Sequence, residues 1–390
     1  LSNGPVKTNL KEEIHRVHNS PLRRPSLQKK DVHAAIDHWF ASKKGWLANL
    51  KVESLELPNS SGIANETWLV GTVRQDSKRK VKEPGPRLVF RLESEEFLYF
   101  RSDLRLHYDL YESFGQIADL PVPEVLAFEE EREFLGCRFF VMEHVAGRAV
   151  PDRPNFNCGG WLAESSIEEQ RAVWTEAVTV MARLHAVDAW QVTPLMSGKF
   201  NRKGGLQDCL DYWISYSDWA GAAGIALISL GADWLASNIP SNLEASAEIS
   251  WGDARLQNLL FEGTRCAAIL DWDMVSLAGA EADLAWWALA DHKYTASRGR
   301  PRLPGIGSPA ETVALWESLS GRKVKNFDWH LVFAAFRQAL VTQRLIFLAG
   351  KGERPAEQPS EASIGLQWLS CLLDAPADFP ITMPFVGLDQ

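Results

Sequence analysis

The chain has 390 residues, of which 46% are hydrophobic and 23% charged, and its formal net charge is −9 at pH 7. A chain of this length is too long for a single hydrophobic core of ordinary size, so two lobes are expected. The acidic balance argues against nucleic acid and against anionic membranes as main partners, because both require clustered Lys and Arg. Five cysteines without a CxxC pair favour reduced thiols in a cytoplasmic protein over a disulfide scaffold.

The N-terminal part predicts an arm followed by a mixed sheet-and-helix region. Residues 1–28 mix charges and prolines without a sustained period or an apolar signal region, which predicts a flexible arm. A helix is predicted from Asp31, where DVHAAIDHWFASK places an acidic cap before apolar residues at helical spacing. The runs KVESLEL, ETWLVGTV and RLVFRLE then predict an antiparallel meander. A helix around LHYDLYESFGQIA and strands near VLAFEE and FFVMEHV complete a β-β-β-α-β-β order.

Beyond Gly147 the pattern is mainly helical. SSIEEQRAVWTEAVTVMARLH opens with Ser165 or Ser166 three residues before a Glu, which matches a capping box. WHLVFAAFRQALVTQRLIFLAG, with Gly350 as its C-cap, and EASIGLQWLSCLLDA predict the closing helices. WAGAAGIALISLGA is too short to span a bilayer and predicts one buried helix.

Polar residues interrupt a strand-forming stretch at residues 251–273, WGDARLQNLLFEGTRCAAILDWD. Four residues separate Asp253 from Asn258, and a predicted hairpin then ends at Asp271. A hairpin with a loop before it brings these three side chains to one end. Phosphoryl transfer requires a carboxylate beside the attacking hydroxyl and oxygen ligands for Mg²⁺. The alternative is a solvated hairpin in which Asn and Asp only favour turns.

The segment resembles the signature of the aminoglycoside phosphotransferase and choline-kinase-like superfamily, H-G-D-x₄-N followed by D-[WF]-[DE]. GAEADLAWW resembles the downstream G-x-x-x-D-L-A-W of that family. The form W-G-D-x-R-x-x-N is similar to the kinase-like half of some acyl-CoA dehydrogenase fusion proteins. The resemblance implies a two-lobed α+β, protein-kinase-like fold, with a small antiparallel-sheet N-lobe at 29–142 and a large helical C-lobe at 143–390.

The same resemblance implies roles in the C-lobe. Asp253 would be the catalytic base, and Asn258 and Asp271 would hold Mg²⁺. Asp273 would be an auxiliary group near the metal or the substrate, and Asp283 would brace the catalytic loop.

Two further residues qualify this assignment. Arg255 would orient the loop or touch the substrate, and a surface salt bridge is an equal alternative. Trp251 stands where relatives usually have His and would supply the packing part of its role.

In the N-lobe, LPNSSGIANETW occupies the position of the hairpin that covers the nucleotide phosphates in kinase-like enzymes. It has one glycine, so Ser60, Ser61, Gly62 and backbone amides would contact phosphate. Arg91 on the third strand stands where most kinases have Lys and would offset the triphosphate charge. The alternative is a strand residue with its head in water.

A helix residue and a hinge complete the implied nucleotide site. Asp109 is the best-placed partner for Arg91, with Glu112 as the second candidate. FFVMEHVAG resembles the hinge between lobes, where backbone groups of Glu143 to Val145 would read the adenine edge of ATP.

These features predict an ATP- and Mg²⁺-dependent O-phosphotransferase that acts on a hydroxyl of a small molecule. The Trp, Ala and Leu content of WISYSDWAGAAGIALISLGADWLA favours an apolar or acyl-type hydroxy compound. The acidic balance of residues 151–250 would instead suit an aminoglycoside. An alternative of a different class is a nucleotide-binding pseudokinase that acts as a binding module, supported by the departures at Trp251 and Arg91.

Overall fold

The computed structural model describes residues 29–58, 66–75, 82–94, 97–117, 119–189, 193–196, 205–240, 248–349 and 364–375. They form the two-lobed, kinase-like α+β fold that the motifs imply, with a sheet-rich N-lobe and a helical C-lobe. The predicted arm, the loop with Ser60, Ser61 and Gly62, and the predicted cap Gly350 lie outside the described residues.

The N-lobe is built around a six-stranded antiparallel sheet with the order β1-β2-β4-β6-β5, in which β3 pairs with β2. The predicted meander is confirmed. The three-residue β3 lies in a predicted linker, and it forms because β2 supplies its partners. The elements are α1 (Lys29–Ser42), β1 (Leu50–Glu56), β2 (Glu66–Gln75), β3 (Lys82–Pro84), β4 (Leu88–Leu92), α2 (Leu104–Phe114), β5 (Val125–Glu129) and β6 (Phe139–Glu143).

The alternation of side chains along β4 decides which way Arg91 points. Leu88, Phe90 and Leu92 pack into a cluster with α1, whereas Val89 belongs to the larger core that continues into the C-lobe. Successive side chains of a strand point to opposite faces of the sheet. Arg91 therefore shares the face of Val89 and is directed towards the C-lobe.

The C-lobe packs helices around a three-stranded antiparallel sheet with the order β7-β8-β9. The sequence predicts β8 and β9 but not β7, because a two-residue strand has no periodic pattern. The elements are β7 (Arg148–Ala149), α3 (Trp161–Glu164), α4 (Ile167–His185), α5 (Thr193–Met196), α6 (Leu206–Trp219), α7 (Ala226–Ser237), β8 (Leu259–Glu262), β9 (Arg265–Ile269), α8 (Ala280–Tyr294), α9 (Pro309–Ser320), α10 (Phe327–Ala349) and α11 (Ile364–Leu372).

The observed helix ends confirm one prediction and contradict another. Ser166 forms the predicted capping box at the start of α4, with its side chain accepting from the Glu169 N–H at 3.2 Å. The prediction of one buried helix through WAGAAGIALISLGA is wrong. Helix α6 ends at Trp219 and α7 begins at Ala226, because Gly221 adopts a φ of +71° and breaks the helical path.

Helix α10 is the central helix of the C-lobe. Among the described residues, its segment Phe327–Leu348 alone is long and apolar enough to cross a membrane, and 67% of its apolar window is buried within the protein. Arg337 on this segment is fully buried and packs against the rings of Trp286 and Phe333. This is the environment of a core helix.

Candidate active site

The loop before β8 places a carboxylate and an amide side by side. Gly252 has a φ of +93°, and a Cβ there would lie 2.0 Å from the Met274 carbonyl oxygen, so the chain can make this approach only with glycine. Asp253 follows, and a 3₁₀ turn returns Asn258 towards it. The Asn258 Nδ2 donates to the Asp253 main-chain oxygen at 3.0 Å and to its Oδ2 at 2.7 Å.

Three donors hold the Asp253 carboxylate, whose side chain is 13% exposed. Oδ2 accepts from Asn258 and from the Arg255 Nε at 3.0 Å. Oδ1 accepts from the Trp286 indole at 2.7 Å. The role of Trp286 is not among the sequence predictions. The sequence feature that could have indicated this role is the spacing of Trp286, three residues after Asp283, which puts both residues on one side of α8.

Asp283 lies beneath the catalytic loop and is fully buried. It accepts from the Ser250 hydroxyl at 2.8 Å, the Trp251 N–H at 2.6 Å, the Gly252 N–H at 2.7 Å and the His185 Nε2 at 2.9 Å. Two of these donors are main-chain groups of the loop itself. The contacts are those that a brace of the catalytic loop requires.

Trp251 ties this loop to the end of β9. Its indole donates to the Leu270 carbonyl at 2.9 Å and to the Asp271 carbonyl at 3.1 Å, and its side chain is almost fully buried. The sequence predicts only the packing part of this role. The indole also fixes the main chain at Asp271, which has a φ of +64° that Asp tolerates better than most residues.

Negative charge accumulates where the loop and the hairpin meet. Burial and the neighbouring Asp273 charge raise the pKa of Asp271 to about 7. Burial, followed by the charges of Asp253, Asp271 and Asp273, raises the pKa of the Tyr99 phenol well above its usual value. Tyr99 therefore borders the carboxylates, although no motif in the sequence marks it.

Arg91 reaches this site from β4, and its ion-pair partner differs from the predicted one. Its Nη2 lies 2.7 Å from the Asp273 Oδ2, and the His107 Nε2 lies 3.3 Å from the Asp273 Oδ1. The prediction that Asp109 pairs with Arg91 is wrong. Helix α2 turns the buried His107 towards the site, so Asp109, two residues on, faces away and pairs with Arg105 at 2.7 Å.

The second candidate, Glu112, also lies elsewhere, since its side chain hydrogen-bonds with Tyr108. The acidic partner of Arg91 is therefore Asp273, which follows the β8-β9 hairpin, and not a residue of α2.

Arg255 is not an exposed surface ion pair. Its side chain is 22% exposed and joins Asp253 to Asp152, whose Oδ1 is 2.9 Å from the Arg255 Nη1. The Tyr294 hydroxyl also donates to Asp152. Burial and the adjacent Arg255 charge lower the pKa of Lys293, which places a second cation near Asp253.

The predicted hinge follows β6. The Glu143 N–H donates to the Glu124 carbonyl at 2.9 Å, and the His144 N–H donates to the Arg87 carbonyl at 3.2 Å. The Glu124 N–H donates to the Glu143 carboxylate rather than to its main-chain carbonyl. The N–H groups of the first two hinge residues are thus used within the protein.

Comparison with known proteins agrees with these features. Residues 56–319 match the model of the phosphotransferase enzyme family. The chain belongs to this family. It is similar in fold to a candidate aminoglycoside phosphotransferase of Ralstonia eutropha, with 22% identity, a TM-score of 0.59 and coverage of 88% of this chain and 98% of that one. A macrolide 2′-phosphotransferase type I gives a TM-score of 0.52 at 13% identity over 85% of this chain and 99% of that one.

The curated relatives that this chain matches are much longer proteins. Acyl-CoA dehydrogenase family member 11 of Gallus gallus is 31% identical over 43% of this chain and 21% of its own length. The Homo sapiens protein of the same name is 25% identical over 57% of this chain and 28% of its own length. The chain thus spans between a fifth and a third of these relatives. The resemblance that the sequence motifs predict is confirmed.

The residues around Asp271 fit Mg²⁺ and a nucleoside triphosphate. No group of three His, Cys, Asp or Glu side chains forms a metal site in the described part of the chain. Mg²⁺, however, is usually held by one or two carboxylates together with phosphate oxygens. Asp271 and the Asn258 amide oxygen provide such a set. The Arg91 Nε is buried and has no hydrogen-bond partner among the described residues, so the guanidinium keeps an unused donor that suits a phosphate oxygen.

Proposed function

We propose that this phosphotransferase transfers a phosphoryl group from ATP to a hydroxyl of a small molecule, with Mg²⁺ as the metal. The observation that carries the proposal is the meeting of Asp253, Asn258 and Asp271 at one end of the β8-β9 hairpin. Loop and hairpin are joined there by the Leu270 N–H, which donates to the Asn258 carbonyl at 2.9 Å. Bound Mg-ATP would supply the phosphoryl group and neutralise its developing charge.

Asp253 is the proposed base, and its hydrogen bonds indicate which atom takes the proton. A carboxylate has about four lone-pair positions. Two donors occupy Oδ2 and one occupies Oδ1. The acceptor hydroxyl is therefore proposed to donate to Oδ1, beside the Trp286 indole. Arg255, Asn258 and Trp286 orient the carboxylate for this contact.

The nucleotide is proposed to lie between residues 29–142 and residues 143–390. Arg91 would contact the phosphates, and Asn258 and Asp271 would hold the metal. The Glu143 carbonyl and the Val145 main chain would read adenine, since the Glu143 N–H is already used. Ser60, Ser61 and Gly62 would cover the phosphates.

The charges around Asp253 favour an apolar or acyl-type hydroxy compound as the acceptor. An aminoglycoside is polycationic and needs free carboxylates. Near Asp253, however, Asp152 already binds Arg255 and Tyr294, and Lys293 adds positive charge. A neutral or acidic acyl-type alcohol avoids that repulsion. The names of the acyl-CoA dehydrogenase relatives are consistent with an acyl-type acceptor.

The test is ATP consumption across a panel of hydroxy acids, hydroxyacyl thioesters, aromatic alcohols and aminoglycosides, comparing the parent protein with Asp253→Asn. We expect turnover with an acyl-type alcohol and a fall in kcat of about 10²–10⁴-fold in the variant, with calorimetric Mg-ATP affinity retained. Turnover with aminoglycosides alone would reject the acceptor class. Mg-ATP binding without turnover of any acceptor would favour a pseudokinase, and absence of both would reject a phosphotransferase.

A further inference from the structure

Arg91, the β4 residue that is proposed to contact phosphate, is held by an ion pair with Asp273, which follows the β8-β9 hairpin. Arg91 is 12% exposed, and Asp273 and His107 are 2% and 4% exposed. Arg91 and Asp273 are 182 positions apart in the chain. In kinase-like enzymes the cation on the third strand is usually held by an acidic residue of the following helix. Here that helix offers His107, and the acid comes from the opposite lobe.

We propose that Asp273 is a positioning residue for the nucleotide, which orients Arg91 towards the phosphates and is itself held by His107. The inference rests on the proposed function, because it assigns Asp273 a task in ATP binding. It gives a specific task to a residue that the sequence motif implies only as an auxiliary group near the metal or the substrate.

The geometry of the guanidinium supports this assignment. Arg carries five N–H donors in a rigid planar fork, so an ion pair at one Nη restricts the directions in which the other donors point. The bond to Asp273 uses Nη2, and the buried Nε has no hydrogen-bond partner within the part of the chain that the structure describes. Asp273 therefore sets the orientation of the fork and leaves donors for an anion.

The environment of Asp273 does not suit a direct metal ligand. One carboxylate oxygen faces Arg91 and the other faces His107, and the side chain is almost fully buried. Asp271, two residues earlier, is the more accessible carboxylate. The Asp273 N–H lies 3.4 Å from the Asp271 Oδ1, so one short loop fixes both the phosphate-binding cation and the metal ligand.

The experiment measures calorimetric affinity for ATP in excess EDTA, where metal ligation makes no contribution. The variants are Asp273→Asn, Arg91→Gln and the double variant, with Asp109→Asn as the matched control on α2. We expect Asp273→Asn to weaken Mg-free ATP binding by about tenfold, and the double variant to bind no more weakly than Arg91→Gln, because the two residues act as a unit. Asp109→Asn should stay within about twofold of the parent.

Steady-state kinetics give a second readout. Asp273→Asn should raise KM for ATP and change kcat much less, since the base Asp253 is untouched. His107→Gln keeps the buried ion pair and should raise KM by about threefold. It keeps the inference testable if Asp273→Asn fails to fold, which thermal unfolding would show.

Two results would overturn the inference. If Asp273→Asn keeps its Mg-free ATP affinity and alters only the Mg²⁺ requirement, Asp273 is a metal ligand. If Asp109→Asn causes the loss instead, the helix acid positions Arg91. Either result can be obtained with a protein that binds and uses ATP, so it is distinct from failure of the proposed function, in which the parent protein does neither.

Discussion

The loop that carries Asp253 and strand β4, which carries Arg91, hold their charged groups in different ways. Asp253 accepts three hydrogen bonds and Asp283 accepts four, all from within the C-lobe. Arg91 has one ion-pair partner among the residues that the structure describes, Asp273, and that partner lies in the other lobe. The proposed base Asp253 is thus fixed before any ligand binds, whereas the position of Arg91, the proposed phosphate-binding cation, depends on how the lobes meet.

This difference separates two steps of the proposed reaction. Chemistry at the acceptor hydroxyl needs a carboxylate held close to its productive geometry, and the C-lobe hydrogen bonds provide that. Nucleotide binding needs a cation with an unused donor, and the Arg91 Nε has no hydrogen-bond partner in the described ranges of the chain. Variants of the two regions should therefore affect different measured quantities.

The largest expected effect comes from the brace of the catalytic loop. In Asp283→Asn an amide NH₂ faces two of the four donors that now meet a carboxylate, so the free energy of unfolding should fall by about 3–5 kcal/mol. Urea denaturation measures it. The matched control is Asp291→Asn on the same helix, which loses a partly exposed ion pair with Arg302 and should cost about 1 kcal/mol. Equal losses in the two variants would mean that Asp283 is not what holds the loop.

The same contrast explains what could be predicted from sequence. Asp253, Asn258 and Asp271 lie within 19 consecutive residues, and a loop followed by a hairpin nearly fixes their relative placement. The strand carrying Arg91 was also predictable from its pattern. Its partner was not, because 182 positions separate the two residues and only the packing of the lobes brings them together.

Other misses have local physical causes. The strands β3 and β7 have three and two residues, too few for a periodic pattern. The break between α6 and α7 depends on one glycine in a left-handed conformation within an otherwise helix-compatible run. The sequence predicts only packing for Trp251 and no role for Trp286, yet an indole also has one N–H to donate, and both residues use it at the site.

A smaller effect, confined to the chemical step, is expected from Trp286. Trp286→Phe keeps an aromatic ring beside Arg337 but removes the donor to the Asp253 Oδ1. A hydrogen bond to a charged group contributes about 1.5–3 kcal/mol, so kcat should fall by about ten- to a hundredfold while KM for ATP stays unchanged. Trp329→Phe is the control, since it loses a buried indole bond to the Leu235 carbonyl away from the site. A matching fall in kcat for both variants would refute the role of Trp286.

The smallest effect concerns the pH dependence of the nucleotide-free protein. The folded-state pKa of Asp271 is raised to about 7, mainly by burial and then by the Asp273 charge, whereas the unfolded value is about 3.9. Between these values the folded state binds a proton that the unfolded state lacks. Stability should therefore fall as pH rises, by about 1 kcal/mol between pH 6 and 8, and level off above the folded pKa.

Thermal unfolding of the parent and of Asp271→Asn across this pH range separates the contribution of Asp271 from that of every other group. The variant should lose that part of the slope and keep the rest. Mg-ATP requires the ionised carboxylate, so the affinity of the parent for Mg-ATP should increase over the same pH interval. Identical slopes in parent and variant, with Mg-ATP affinity independent of pH, would show that Asp271 is ionised throughout. The Asp271 side chain would then be as well defined before ligand binding as that of Asp253. The contrast between the two regions would rest on Arg91 alone.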